Sequence, residues 1–81
     1  MAKQRAGGYP TLARMVGAEL ERARGDRSHK EIADALGWSK ASVVGLEQGR
    51  ANPTLARLEA VADVYGIEFV VRVRRRKGNA A

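Results

Sequence analysis

Apolar residues Leu12, Met15, Val16, Leu20 and Ala23 recur at helical spacing on one face, with Arg14, Glu21 and Arg22 on the other. That pattern predicts an amphipathic helix stopping near Gly25. The preceding residues, Met1 to Pro10, hold Gly7-Gly8 and Pro10 without apolar periodicity. They read as a flexible arm ending where Thr11 can cap the helix. Ser28-His29-Lys30-Glu31 is a capping-box pattern, in which the Ser28 hydroxyl takes the Glu31 backbone N–H and the Glu31 side chain reaches back to that of Ser28. A short second helix follows, burying Ile32, Ala33 and Leu36 and stopping at Gly37. Ser39 offers the next N-cap, with Trp38 and Val43 placed as a hydrophobic staple. The third helix then runs to about Gln48, with Val43 and Leu46 inward and Gly49 as its stop.

Arg50-Ala51-Asn52-Pro53 reads as a turn, because proline biases Asn52 away from helical geometry. Thr54 caps a fourth helix whose stripe is Leu55, Leu58, Val61, Ala62 and Tyr65, ending at Gly66. After Gly66 the period changes to two: Ile67, Phe69, Val71 and Val73 alternate with Glu68, Val70, Arg72 and Arg74. This predicts one strand, and a lone strand cannot satisfy its own backbone N–H and C=O groups. Its partner is expected from a second chain, joined through Ile67, Phe69, Val71 and Val73. The expected architecture is mainly α: four helices plus one C-terminal β-strand paired across a dimer. Its divisions are an arm (1–10), a helical domain (11–66), a dimerisation strand (67–75) and a basic tail (76–81). The second and third helices, separated by Gly37-Trp38, have the form of a helix-turn-helix, a unit that presents its second helix to the DNA major groove.

Composition narrows the chemistry. The 81 residues suit one domain, and 15 Lys+Arg against 9 Asp+Glu give a net charge of +6. Cysteine is absent and His29 is the only histidine, so a zinc finger, a disulfide-stapled module and a thiol enzyme lack their necessary atoms. No apolar stretch approaches the roughly 18 to 20 residues of a membrane span, and the N-terminus has no signal-peptide run. A soluble, cytoplasmic protein is expected, nucleoid-associated when bound to DNA. The charge is uneven. Residues 1–24 and the segment from Ile67 onward are cationic, while the middle is nearly balanced. The cluster Arg74-Arg75-Arg76-Lys77 suits a polyanion or a solvated tail equally. A chain this short buries only about 60% of its unfolded surface, which makes oligomerisation an expectation. No nucleophile–base pair, metal set or cofactor loop is present, so no enzyme activity, metal or cofactor is expected; Glu59 and Asp63 share a helix face that reads as solvated.

The stretch from Ser28 to Leu55 resembles the Cro/cI-type, lambda-repressor-like helix-turn-helix domain, over about residues 11–66. The resemblance is carried by Ile32-Ala33, Leu36-Gly37 and Ser39, and by Leu46-Glu47, Gly49 and Pro53-Thr54-Leu55. It implies base-reading positions at Lys40, Ala41, Ser42 and Gly45 and a phosphate contact at Arg50. Where the family usually has a phosphate-binding Gln, this chain has His29, which donates a hydrogen bond only in the right tautomer or charge state. Lys40 can serve guanine or phosphate, Ala41 only a thymine methyl, and Ser42 a base, a phosphate or its own helix start. Gly45 costs about 1 kcal/mol in a helix interior, which suggests close approach of DNA unless the position is unconstrained. Trp38 reads first as core, and second as a phosphate contact through its indole N–H. The candidate DNA-facing set is therefore Ser28, His29, Trp38, Ser39, Lys40, Ala41, Ser42, Gly45, Arg50 and Asn52. Because few of these are long and polar, readout is expected to lean on DNA shape or on the arm entering a groove. Glu47 resembles the family's buried Glu, with Arg14 or Arg50 as the expected ion-pair partner. Tyr65 and Phe69 are expected in the core or the dimer interface.

Three functions suit these features. The leading one is a homodimeric, sequence-specific regulator of transcription, a repressor on a palindromic operator. The helix-turn-helix followed by one strand is also similar to HipB-type antitoxins, which makes the partner of the second reading a toxin protein. The third is a basic module that binds nucleic acid without sequence preference.

Overall fold

The computed structural model describes residues 8–76 of the chain, and side chains from Leu12 onward. Four helices follow one another: α1 (Gly8–Arg24), α2 (His29–Leu36), α3 (Lys40–Glu47) and α4 (Leu55–Tyr65). α1 begins at Gly8, ahead of the Thr11 cap expected from the sequence. Pro10 falls in its first turn, where the N–H that proline lacks would have no intrahelical acceptor. The expected arm thus loses residues 8–10 to the helix, and the rest of it lies outside the described residues, as do residues 77–81 of the basic tail.

The local signals at the other helix starts appear as hydrogen bonds. Ser28 Oγ accepts from the Glu31 N–H at 3.0 Å, and the Ser28 N–H donates to Glu31 Oε1 at 2.7 Å. Ser39 Oγ accepts from the Ser42 N–H at 3.1 Å, and Thr54 Oγ1 from the Arg57 N–H at 3.1 Å. Each cap satisfies a donor with no partner inside its helix and contributes about 1 kcal/mol. Gly37, at φ 73°, ends α2 in the left-handed conformation, which lets the Trp38 N–H donate to Ala33 O at 2.9 Å. That bond holds the turn between α2 and α3.

The core takes one fully buried side chain from each helix: Leu20, Ile32, Val43 and Val61. Each contributes about 1.5–3 kcal/mol by leaving water. Leu46, Ala33 and Tyr65 complete the buried cluster, and half-buried Val16, Leu36, Trp38, Ile67 and Phe69 pack around it. α1 and α3 approach so closely that a Cβ on Gly17 would lie 2.4 Å from Glu47 O. Glycine is therefore required there for packing.

Three residues of the predicted apolar stripes face water. Leu12 and Met15 are 62% and 60% exposed, and Leu55 is 82% exposed. Leu12 and Met15 lie in the N-terminal half of α1, flanking an open apolar groove whose other wall is Ile67, Phe69 and Val70. Leu55 is the first residue of α4, before that helix reaches the core.

The predicted strand was expected to pair across a dimer; within the single chain residues 67–76 form neither helix nor ladder, and no strand occurs among the described residues. The segment starts with the expected alternation, Ile67 and Phe69 resting against the core, but Val70, Val71 and Val73 are 82%, 81% and 87% exposed. A single extended segment has no neighbour in its own chain to accept its backbone hydrogen bonds.

Candidate nucleic-acid interface

The exposed side of α3 forms the floor of an open groove. Ala41, Ser42 and Gly45 come from α3, Gly37 and Trp38 from the turn before it, and Arg50 to Pro53 from the loop after it. Arg57, in the first turn of α4, completes the wall. Turn, helix, loop and a second helix therefore converge on one concave surface.

Of the candidates named from sequence, Ala41, Ser42, Arg50 and Asn52 are exposed here, and Lys40 is exposed at the start of α3, outside the groove's lining. Lys40 opens α3, where the helix dipole disfavours a cation, and no acidic residue stands in that first turn. An external anion relieves that repulsion. A Cβ added to Gly45 would meet only Arg50 Nη2, at 4.0 Å, so nothing in the protein requires glycine there. Ser42 Oγ lies 2.9 Å from Ser39 Oγ, and Ser39 Oγ also caps α3, so this pair of hydroxyls serves the helix start. Ser28 is likewise occupied as the cap of α2.

His29 turns inward. Its Nε2 lies 3.1 Å from Glu47 Oε1, and Glu47 is the one buried charged residue among those described. The same carboxylate accepts from Arg24 Nε at 2.8 Å, Arg24 Nη2 at 3.1 Å and Tyr65 Oη at 2.8 Å. The ion-pair partner is thus Arg24, not Arg14 or Arg50: Arg50 extends toward Gly45 on the outer side of α3. One carboxylate on α3 therefore receives donors from α1, α2 and α4. Burial works to raise the Glu47 carboxyl, but the hydrogen bonds from Arg24, Tyr65 and His29 outweigh it and hold the group below its ordinary value. Burial first, and then the bond to Glu47, push the Tyr65 hydroxyl well above its usual range. The effect is to lock α3 against the other three helices with its outer face free.

Two arginines escaped the sequence reading. Arg27 donates to Val64 O at 2.8 Å and Tyr65 O at 3.1 Å, tying the α1–α2 connection to the end of α4. Arg57 lies over the Trp38 ring, 5.6 Å from its centroid. Trp38 is half-buried against the core, as expected, and its outer face carries this cation. Neither pairing leaves a local signal, since each joins segments far apart in sequence.

A family model described as a helix-turn-helix domain matches residues 16–77. The chain belongs to this helix-turn-helix family. That membership supports DNA binding, and α3 is the second helix of the unit. Comparison with curated proteins and with solved structures finds no match. Among the described residues, no helix is long and apolar enough to cross a membrane, and no group of three or more ligating side chains could hold a metal ion.

Proposed function

We propose that this helix-turn-helix protein is a sequence-specific transcriptional regulator, a repressor of the Cro/cI type, that acts as a homodimer and not as an enzyme. The observation that carries the reading is the α3 groove, with Arg50 in it and Lys40 exposed at the head of α3, both without a carboxylate partner among the described residues. Lys40 and Arg50 supply phosphate or guanine contacts, Ala41 a methyl contact, and Gly45 room for the duplex.

The homodimer is supported by apolar surface that one chain leaves open: Val70, Val71 and Val73, beside Leu12 and Met15. Antiparallel pairing of two such segments about Val71 sets Glu68 opposite Arg74 and Phe69 opposite Val73, and satisfies both backbones. It separates the two α3 helices by about 34 Å, one turn of DNA, and makes the operator a near-palindrome. The same apolar residues suit a different protein partner, the toxin of an antitoxin pair.

Selection of bound duplexes from a random library at about 150 mM salt tests the reading. A palindrome with half-sites about one helical turn apart supports the dimeric regulator. A single half-site shows DNA recognition by a monomer, and recovery of no motif defeats sequence-specific regulation and shifts the function to a protein partner.

A further inference from the structure

Arg57 lies in the groove but in none of the motifs that mark the groove in the sequence. Its backbone N–H is held by Thr54 Oγ1 at 3.1 Å, which sets the first turn of α4, and its guanidinium covers the Trp38 ring at 5.6 Å. The platform beneath it is itself fixed. The Trp38 N–H donates to Ala33 O at 2.9 Å, and the indole packs against the core. A guanidinium held within cation–π reach of a fixed aromatic ring is oriented in advance. Among the described residues, no carboxylate or carbonyl accepts from the Arg57 guanidinium N–H groups. Arg57 is exposed and shares the groove with Ser42, Gly45 and Arg50.

A planar cation held over a ring, its N–H groups without an acceptor among the described residues, matches the paired oxygens of a phosphodiester. We propose that Arg57, seated on Trp38, grips a backbone phosphate of the duplex that lies against α3, and that Trp38 is its positioning residue. The inference rests on the α3 groove being the DNA interface. Such a contact reads no base; it sets where α3 comes to rest on the duplex, from a helix outside the helix-turn-helix itself. It also gives Trp38 a role distinct from direct phosphate contact: the ring's outer face is taken by Arg57.

The test is a salt-dependent titration of the full chain on the selected duplex and on a scrambled duplex of equal length, read by fluorescence anisotropy. Arg57→Ala is expected to weaken binding to both duplexes by about tenfold. It should also reduce the slope of log affinity against log salt by about one, without changing the preference between duplexes or the Tm. Arg57→Lys keeps the charge but not the planar fork, so it should retain the salt slope and lose part of the affinity. Trp38→Phe, which keeps an aromatic face, should fall between wild type and Arg57→Ala. If wild type binds the selected duplex and Arg57→Ala matches it in affinity and slope, the phosphate grip is overturned and the DNA reading stands. Loss confined to the selected duplex overturns it in favour of a base contact. Wild type that binds neither duplex overturns the grip and the DNA reading together.

Discussion

Among the described residues, two arginine–aromatic pairs have opposite fates. Arg27 lies 6.0 Å from the Tyr65 ring centroid, and its guanidinium donates to Ala23 O, Arg24 O, Val64 O and Tyr65 O. Arg57 lies 5.6 Å from the Trp38 ring centroid, and among the described residues its guanidinium donates to nothing. The first pair closes the back of the bundle, beside the Glu47 carboxylate with its three donor side chains. The second opens onto the α3 groove. Proximity to an aromatic ring does not distinguish a structural arginine from an interface one; where the donors go does. On the back face the donors on Glu47 are satisfied inside the chain, whereas on the front face the Arg50 and Arg57 side chains have no carboxylate partner among the described residues.

The largest break in that contrast comes from Glu47→Ala. It leaves half-buried Arg24 without its carboxylate and buried Tyr65 Oη without its acceptor, a cost of about 3 kcal/mol or more. The expected outcome is a chain largely unfolded or melting far lower, measured by circular dichroism. The pH dependence follows from the same hub. Because the folded Glu47 carboxyl is held below its unfolded value of 4.5, its stabilisation is fully present above that pH and is lost as pH falls through the lower folded value. Tyr65 has the opposite sign: its raised folded value contributes stability below its ordinary 10.0 that is lost as pH rises above it. Thermal melts across pH should show both limbs, with Tyr65→Phe removing the alkaline one.

Arg27→Ala should come next. Its bonds to carbonyl oxygens are charge-assisted, and their loss is expected to cost about 1.5–3 kcal/mol of stability with the salt slope of DNA binding unchanged. Arg57→Ala should do the reverse. If the two substitutions behave alike in both assays, the contrast between the faces is wrong.

The smallest effect sharpens the front face alone. Gly45→Ala adds a methyl in open space and a better helix former, so stability should rise by about 1 kcal/mol. DNA affinity should fall if the duplex lies against this position; unchanged affinity would show that Gly45 is merely unconstrained.

The helix starts from α2 onward were legible because a cap is a local device: Ser28, Ser39 and Thr54 each bond a backbone N–H within the next turn. The apolar spacing marked Leu20, Ile32, Val43 and Val61 as inward for the same reason, since side chains at helical spacing share a face whatever covers it. The start of α1 was missed, because a first-turn proline reads as a breaker until the helix is seen to pass through it. Exposed Leu12, Met15 and Leu55 show the limit of periodicity: it names a face, not where another element ends and stops covering it.

The sequence by itself determined four helices, the N-caps of α2, α3 and α4, the tight turn between α2 and α3, and the exposed positions on α3. Tertiary structure alone decided that Arg24 pairs with Glu47, that Gly17 admits α3, that His29 turns inward and that Trp38 carries Arg57. Caps and periodicities are properties of neighbouring residues, and so are written locally. An ion pair, a close backbone approach or a strand pairing depends on which distant segments meet, and that is set only when the whole bundle closes around its core.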